Sequence, residues 1–235
     1  QGAVAVSISG LEQLQNSGKE RIIDLLESRI KNAERTMANN MSADFYSDGT
    51  ADGGKQIGGL QSLVADTPTN TVGGINRSTW SFWKNYTFDA TTDGGAAATN
   101  SNIQSYMNRV WLATVRGTDR PDLIIADNVY YRLYWESLQA IQRITSTDMA
   151  EAGFSSLKFM DADVVFDGGY GGNAPANHMY FLNTDYIFWR PHTDRNMVPL
   201  DPDRFLVNQD AMVKLIAFAG NMTLSNAFTQ GVLKD

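Results

Sequence analysis

The sequence predicts an α+β fold built around one long helix and several β-strands. Apolar residues recur at helical spacing from Ser17 to Asp44, whereas strict alternation at Ala3–Ile8 and Met212–Ser225 is typical of strands. Between these two segments, the apolar run Pro121–Ala126 predicts a buried strand, and the apolar residues that follow it recur at helical spacing. This β-then-α order favours a layer of helices packed on a sheet.

The segment Ser17–Asp44 is the longest periodic stretch of the chain. Ser17 and Glu20 have the spacing of a capping box, and no proline interrupts the run before Asp48-Gly49. At 1.5 Å per residue, some 26 residues give a helix of about 39 Å. Its narrow apolar stripe comprises Ile22, Ile23, Leu26, Ile30, Ala33, Met37 and Met41. The other faces are charged, so the helix is either an ordinary surface helix or a spine whose charges face neighbouring subunits.

The middle of the chain reads as loops, helices and one buried strand. The glycine-rich stretch Asp48–Gly59 predicts a loop, and Trp80–Phe88 has the aromatic alternation of a strand. Helical spacing predicts a helix from Ser101 to Arg116, with the stripe Ile103, Tyr106, Met107, Val110, Trp111 and Val115. Asp127 then predicts an N-cap for a third helix with Tyr130, Tyr134 and Ile141 on one side.

The last third of the chain is mostly strand-like. Strands are predicted at Leu157–Asp167, His178–Leu182 and Tyr186–Arg190, and the proline-bearing segment Pro191–Pro202 is predicted to be a crossing connection. One long strand is expected at Met212–Ser225, with Gly220 as a candidate bulge, and a weaker one at Gln230–Leu233.

Composition excludes several classes of function. The chain has 235 residues and a net charge of −7, and it shows no cluster of Lys and Arg that could neutralise phosphates, which argues against a nucleic-acid-binding surface. Cysteine is absent, which excludes disulfides, thiolate metal sites and a catalytic thiol. No apolar run is long enough to span a bilayer. Because the chain opens at Gln1 inside a strand pattern, we expect a further segment before it.

Motifs for catalysis are nearly absent. There is no Walker loop, HExxH, GxSxG or dinucleotide fingerprint, and the two histidines, His178 and His192, have the pattern of structural or loop residues more than of a general base. Asp48 and Asp52 lie among glycines, but their spacing does not supply a calcium cage, so a solvated turn is the better interpretation. No cofactor and no metal is expected, and the chain is predicted not to be an enzyme.

Three further groups could carry chemistry. Asp161, Asp163 and Asp167 alternate within a predicted strand, so Asp161 and Asp163 would share a face, either as an acid/base pair or as the polar side of a half-exposed strand. The second interpretation, the polar side of a half-exposed strand, is favoured because no partner base is evident. The loop Gly168–Asn173 could cradle a phosphate but precedes no predicted helix. The five tryptophans have the character of core residues more than of a sugar-stacking platform.

Four segments, taken in order, resemble the major capsid proteins of tailed bacteriophages. They are Ile57–Asn85, Pro121–Trp135, Leu157–Gly171 and Met212–Leu233. The resemblance implies the Hong Kong ninety-seven phage fold, which encapsulin shells share. In that fold a peripheral domain contains a spine helix and a sheet, and an axial domain lies around the capsomer centre.

Carried onto this chain, the resemblance implies a spine helix at 17–44, a peripheral domain at 1–99 and 206–235, and an axial domain at 100–205. The N-terminal arm and most of the extended loop of the family are missing, and Gln1–Ile8 resembles the returning strand of that loop. The subunit contacts that it suggests are Lys19, Glu27, Lys31 and Arg35 on the spine, and Gly168, Tyr170 and Asn173 in an axial loop.

The function implied is that of a structural subunit of a phage or prophage capsid, which self-assembles into pentamers and hexamers around the viral genome. Its implied location is the virion, with assembly in the bacterial cytoplasm. Its partners would be other copies of itself, with a scaffolding protein, a maturation protease and a portal, and it would bind neither membrane nor specific nucleic-acid sequences. Three alternatives stay open: an encapsulin-like compartment, a hydrolase using Asp161 and Asp163, and a binding module using Trp80, Trp83 and Tyr86.

Overall fold

A computed structural model describes residues 2–15, 19–139, 157–168, 172–205 and 210–235. The chain divides into two compact units. The first comprises residues 1–59 and 189–222, and the second comprises residues 60–188 and 223–235.

The described chain contains helices and strands in mixed order, an α+β arrangement. The helices are α1 (Gly10–Gln15), α2 (Lys19–Asp44), α3 (Ala51–Gly54), α4 (Leu60–Leu63), α5 (Ile103–Thr114) and α6 (Asn128–Gln139), with short 3-10 turns at Ser81–Trp83 and Thr184–Tyr186. The strands are β1 (Gly2–Ser9), β2 (Thr71–Val72), β3 (Ile75–Asn76), β4 (Tyr86–Asp89), β5 (Leu123–Ala126), β6 (Leu157–Phe159), β7 (Ala162–Phe166), β8 (His178–Leu182), β9 (Ile187–Phe205), β10 (Ala211–Leu224) and β11 (Gly231–Lys234).

The first unit is a three-stranded sheet in the order β1-β10-β9, with α2 packed against it. β1 runs antiparallel to β10, from the pair Gly2 and Phe218 to the pair Ser9 and Ala211. Buried residues of α2, the sheet and the following loop form its core: Val6, Ala33, Met37, Ile57, Ile216 and Phe218. Trp189 stacks on Phe218 at 5.0 Å between ring centroids, which closes one side of this core.

The predicted long helix is present, 26 residues in length. Its predicted cap, Ser17, and the side chains of Ile22, Ile23 and Leu26 lie outside the described residues, while Ala33 and Met37 of the predicted stripe are buried. A reciprocal capping box is seen instead at α1, where Ser9 and Glu12 each accept a hydrogen bond from the other's backbone N–H.

The prediction that Pro191–Pro202 forms a crossing connection is wrong. These residues continue β9, a 19-residue strand at the edge of the sheet. Proline lacks an N–H donor, but an edge strand needs donors on one side only, so it tolerates proline where an internal strand does not. The strand predicted from Met212 to Ser225 is confirmed as β10, in which a Cβ on Gly220 would lie 2.8 Å from the Arg190 carbonyl oxygen. The close approach of β9 explains glycine at that position.

The second unit is a six-stranded mixed sheet in the order β4-β11-β8-β5-β7-β6. β5 pairs in parallel with β7 and β11 with β4, while the other neighbours are antiparallel. Helices α5 and α6 pack on this sheet. The largest buried members of the core are Ile103, Met107, Ile124, Tyr130, Met179, Phe181 and Leu233. The predicted helix after Ser101, the strand at 121–126 and the strand at His178–Leu182 are confirmed.

Two strand predictions in this unit are wrong in part. Leu157–Asp167 is not one strand but the hairpin β6–β7, which turns at Met160 and Asp161, with Met160 in the left-handed region at φ 53°. In Trp80–Phe88 only β4 is a strand, because Ser81–Trp83 forms a 3-10 turn. The alternation of apolar residues therefore predicted strands in these segments but not the turns that interrupt them.

The limits of the two units differ from those of the predicted peripheral and axial domains. Residues 60–99 and 223–235 pack with residues 100–188, because β4 and β11 join β8 in one sheet. Residues 189–205 of β9 belong with the unit that contains α2.

Candidate subunit-contact surfaces

The predicted carboxylate pair does not converge on one site. Asp161 lies in the β6–β7 turn and pairs with Arg120 at 2.7 Å, whereas Asp163 lies in β7 and pairs with Lys158 at 3.7 Å. The prediction that both share one face of a single strand is wrong because Asp161 lies in the turn that precedes β7, and only Asp163 lies in the strand. Both carboxylates are exposed and each has its own cation, so their arrangement is that of surface ion pairs.

Asp48 and Asp52 do not share one site: Asp48 lies in the loop before α3, and Asp52 lies within α3. The Asp48 carboxylate accepts hydrogen bonds from the backbone N–H of Thr50, at 2.9 Å, and from its hydroxyl. The backbone hydrogen bond lowers the pKa of Asp48.

Within the described residues no group of three or more His, Asp or Glu side chains is placed to hold a metal ion. No described helix has the length and apolarity that a membrane crossing needs.

His178 is held between two hydrogen-bond acceptors. Its Nε2 lies 2.9 Å from Asp66 Oδ2 and its Nδ1 lies 2.7 Å from the carbonyl oxygen of Ala176. Since a neutral imidazole carries one N–H, only the doubly protonated ring donates to both. Burial lowers the pKa of His178, but the hydrogen bonds to Asp66 and Ala176 outweigh it, so the pKa is raised above its ordinary value of 6.5. His192 is largely exposed, 4.0 Å from Asp194.

Of the spine charges predicted to meet neighbouring subunits, three have described side chains. Glu27 and Lys31 pair with each other one turn apart at 2.7 Å, and both are exposed, as is Arg35. The hydrogen bond between them lowers the pKa of Glu27 and raises the pKa of Lys31, so both are charged at neutral pH. Lys19 begins α2, but its side chain lies outside the described residues.

A second ion pair joins α2 to α1 in the same unit. The Arg29 guanidinium contacts Glu12 at 2.6 Å and also donates to the Ser7 carbonyl oxygen. The hydrogen bond from Arg29 is the largest of several that lower the pKa of Glu12. This pair, which the sequence pattern did not indicate, links α1 to α2.

The glycine-rich loop at 168–173 is described only at its ends. Gly168 is half-buried against α6, where an added Cβ would lie 2.4 Å from the backbone nitrogen of Asn128. Asn173 is half-buried, and Tyr170 lies outside the described residues. The Asp127 carboxylate accepts from the backbone N–H of Tyr130 and of Asn177, each at 2.9 Å. It therefore occupies the helix N-terminus that a phosphate would need, and it confirms the predicted cap.

The tryptophans differ in their surroundings. Trp111 is buried, as predicted for core residues, and Trp83 is half-buried with its Nε1 donating to the Val72 carbonyl at 3.1 Å. Trp80 is exposed, so the prediction of a core position is wrong for this residue. It lies beside Phe82, also exposed, at 5.8 Å between ring centroids. Sequence composition alone could not distinguish these positions, because aromatic residues suit both cores and interfaces.

Comparison with solved structures finds this fold in proteins that form shells, over 99% of the chain in each case. The SrpI encapsulin complex of Synechococcus elongatus PCC 7942 matches with a TM-score of 0.64 and 7% identity, over 72% of its own chain. The capsid of the native GTA particle matches at 0.56 and 13%, and that of the Myoviridae phage XM1 at 0.54 and 11%, each over 71% of its chain. No family model matches the sequence, and no curated protein matches it in sequence. The chain thus has the fold of phage capsid proteins and encapsulins, which confirms the predicted resemblance and fold class.

Proposed function

We propose that this chain is a structural subunit of an icosahedral shell, and that this shell is the capsid of a bacteriophage or prophage. The observation that carries the proposal is the shared fold: one architecture matches capsid and encapsulin shells over 99% of the chain. Fold alone does not define function. A second observation supports the proposal: Asp161 and Asp163, the candidate acid/base pair of the alternative hydrolase function, lie in two separate surface ion pairs.

In this proposal the unit that contains α2 serves as the peripheral domain and the unit with the six-stranded sheet serves as the axial domain. Pentamers and hexamers form through contacts that repeat around each ring, and closure adds many modest contacts together. The proposed setting is a virion assembled in the bacterial cytoplasm, with a scaffolding protein, a maturation protease and a portal as partners.

The exposed face of α2 is proposed to meet a neighbouring copy through Glu27, Lys31 and Arg35, with Lys19 at the start of the helix. Exposed ion pairs contribute only about 0–1 kcal/mol each, so these charges would set the register of neighbouring subunits more than the strength of the contact. Gly168, Tyr170 and Asn173 are proposed to lie near the five-fold or six-fold centre.

The direct test is electron microscopy and sedimentation of the purified full-length gene product across a range of concentration, pH and salt. Closed particles or capsomer rings are expected. Monomers under every condition would overturn the proposal.

The α2 contacts are tested separately with Arg35→Glu. Arg132→Glu on α6 is the matched control, since both arginines are exposed helix residues. We expect Arg35→Glu to produce misassembled or smaller particles and Arg132→Glu to assemble like the unaltered chain.

A cargo-enclosing compartment is the second candidate, because the encapsulin has the higher TM-score of the three structures compared, 0.64 against 0.56 and 0.54. The contents of particles purified from cells distinguish the two. Packaged DNA indicates a capsid, and a specific co-purifying protein indicates a compartment.

A further inference from the structure

Two aromatic rings project from one loop of the second unit. Trp80 and Phe82 are 55% and 59% exposed, and their ring centroids lie 5.8 Å apart with the planes inclined at 57°. A single exposed apolar residue is ordinary on a protein surface, but two large aromatic rings in contact form a patch. Residues 67–83, here called the aromatic loop, carry this patch.

The aromatic loop is held firmly by its own hydrogen bonds. The Trp80 N–H donates to the Asn76 carbonyl at 3.0 Å, and the Trp83 N–H donates to the Trp80 carbonyl at 3.1 Å. Before them, β2 and β3 pair around Gly73 and Gly74, whose φ values of 60° and 81° suit a tight two-residue hairpin turn. Because this backbone is already ordered, presenting the two rings to a partner costs little conformational entropy.

The surface of the aromatic loop carries no exposed charge. Arg77 is the one charged residue between positions 67 and 83, and it is fully buried. Its guanidinium donates to the Leu63 carbonyl and to Asn70 Oδ1 and Asn85 Oδ1, at 3.2 Å and 3.4 Å for the two amides. The buried guanidinium thus anchors the loop without adding charge to its surface.

Charge indicates what covers this patch. The chain has a net charge of −7, so two copies repel each other, and they can approach at least cost where neither presents a charge. The cores of protein interfaces are depleted in charged residues and enriched in Trp and Phe. A basic partner would gain more by binding to acidic surface. We propose that Trp80 and Phe82 form a contact with a second copy of this chain, an inference that rests on the proposed function because shells are built from contacts between identical copies.

The first test is the double variant Trp80→Ala/Phe82→Ala, compared with Leu112→Ala as a matched control. Leu112 is 76% exposed on α5, so both variants remove exposed apolar surface. We expect the double variant to keep the circular dichroism and melting midpoint of the unaltered chain. The concentration needed for assembly should rise roughly tenfold or more, as is typical of aromatic anchors in interfaces. The control should assemble at the original concentration.

The second test does not require shells to form. Since the chain has no cysteine, Ser81→Cys provides a single thiol between the two rings, and Ser105→Cys provides a control thiol at an exposed position on α5. We expect the rate of thiol reaction at position 81 to fall as the chain concentration is raised, by more than the rate at position 105.

The outcomes separate this inference from the proposed function. Closed particles that form equally well from the double variant, with equal reactivity at positions 81 and 105, overturn the inference and leave the shell function standing. Protection at position 81 in dimers or open oligomers, with no closed particle under any condition, supports the inference and refutes the shell. A chain that stays monomeric at every concentration overturns both.

Discussion

Arg77 provides the sharpest test of how the aromatic loop is held. We consider Arg77→Met, which keeps the length of the side chain and removes every hydrogen bond of the guanidinium. Arg77 is fully buried, and its bonds to the Leu63 carbonyl and to Asn85 Oδ1 lie in the interior. Its bonds to the Ser62 carbonyl and Asn70 are only partly buried, so water can replace the arginine there.

The expected cost follows from the two interior acceptors. A buried acceptor left without a donor costs about 1–3 kcal/mol, which gives roughly 2–6 kcal/mol for the Leu63 carbonyl and Asn85 together. Removing the buried positive charge offsets part of this cost. Burial disfavours the charged guanidinium, and it lowers the pKa of Arg77 to about 10. We therefore expect Arg77→Met to lower the free energy of unfolding by about 2–4 kcal/mol.

The assay is urea unfolding of the purified chain, followed by tryptophan fluorescence and by far-ultraviolet circular dichroism. Arg132→Met is the control. Its ion pair with Glu136 is exposed at 3.8 Å, so we expect a loss of less than about 1 kcal/mol. If Arg77→Met is as stable as the unaltered chain to within about 0.5 kcal/mol, the buried guanidinium does not hold the loop and this reasoning fails.

Three further predictions concern the second unit. Because the pKa of His178 is raised in the folded state, its contact with Asp66 adds stability that is fully present below pH 6.5, the ordinary pKa. This stability is lost as the pH rises through the native pKa, so the melting temperature should fall over that range. His178→Gln should flatten the fall. Asp127→Ala removes the cap of α6 and should cost about 1–2 kcal/mol in urea unfolding. Gly231→Ala places a Cβ 2.7 Å from Val110 Cγ1 and should cost about 1–3 kcal/mol in the same assay.

Each of these predictions has a control within the chain. His192→Gln replaces the other histidine, which is largely exposed, and should leave the pH dependence unaltered. An equal effect of both histidine variants would contradict the role given to His178. Asp163→Ala should cost less than Asp127→Ala, since Asp163 lies in an exposed pair at 3.7 Å. A Cβ on Gly2 meets nothing within 4 Å, so Gly2→Ala should be nearly neutral; a comparable loss at both glycines would show that crowding is not the cause at Gly231.

The sequence was most informative where structure depends on neighbours along the chain. The repeat of apolar residues predicted α2 and α5, and Asp127 predicted the cap of α6. Helix periodicity and capping are set by residues three or four positions apart, so a single sequence contains what they require. The long strand β10 was predicted for the same reason, from its two-residue alternation.

The candidate contact surfaces were predicted less completely. The exposed charges of α2 could be read from its periodicity, and Glu27 and Lys31 do lie on its exposed surface. The exposure of Trp80 and the burial of Arg77 could not be read in this way, because each depends on segments that fold over or away from it. The ion pair between Arg29 and Glu12 likewise joins residues seventeen positions apart.

By itself, the sequence determined the long amphipathic helix, the absence of thiol chemistry, the acidic net charge and the mixed α+β character, since these follow from composition and local spacing. Only the tertiary structure decided that β4 and β11 join β8 in one sheet, that β9 continues through its prolines, and that Asp161 and Asp163 have separate partners. Strand pairing and burial depend on contacts between distant parts of the chain, and local periodicity carries no information about which distant segment will supply them.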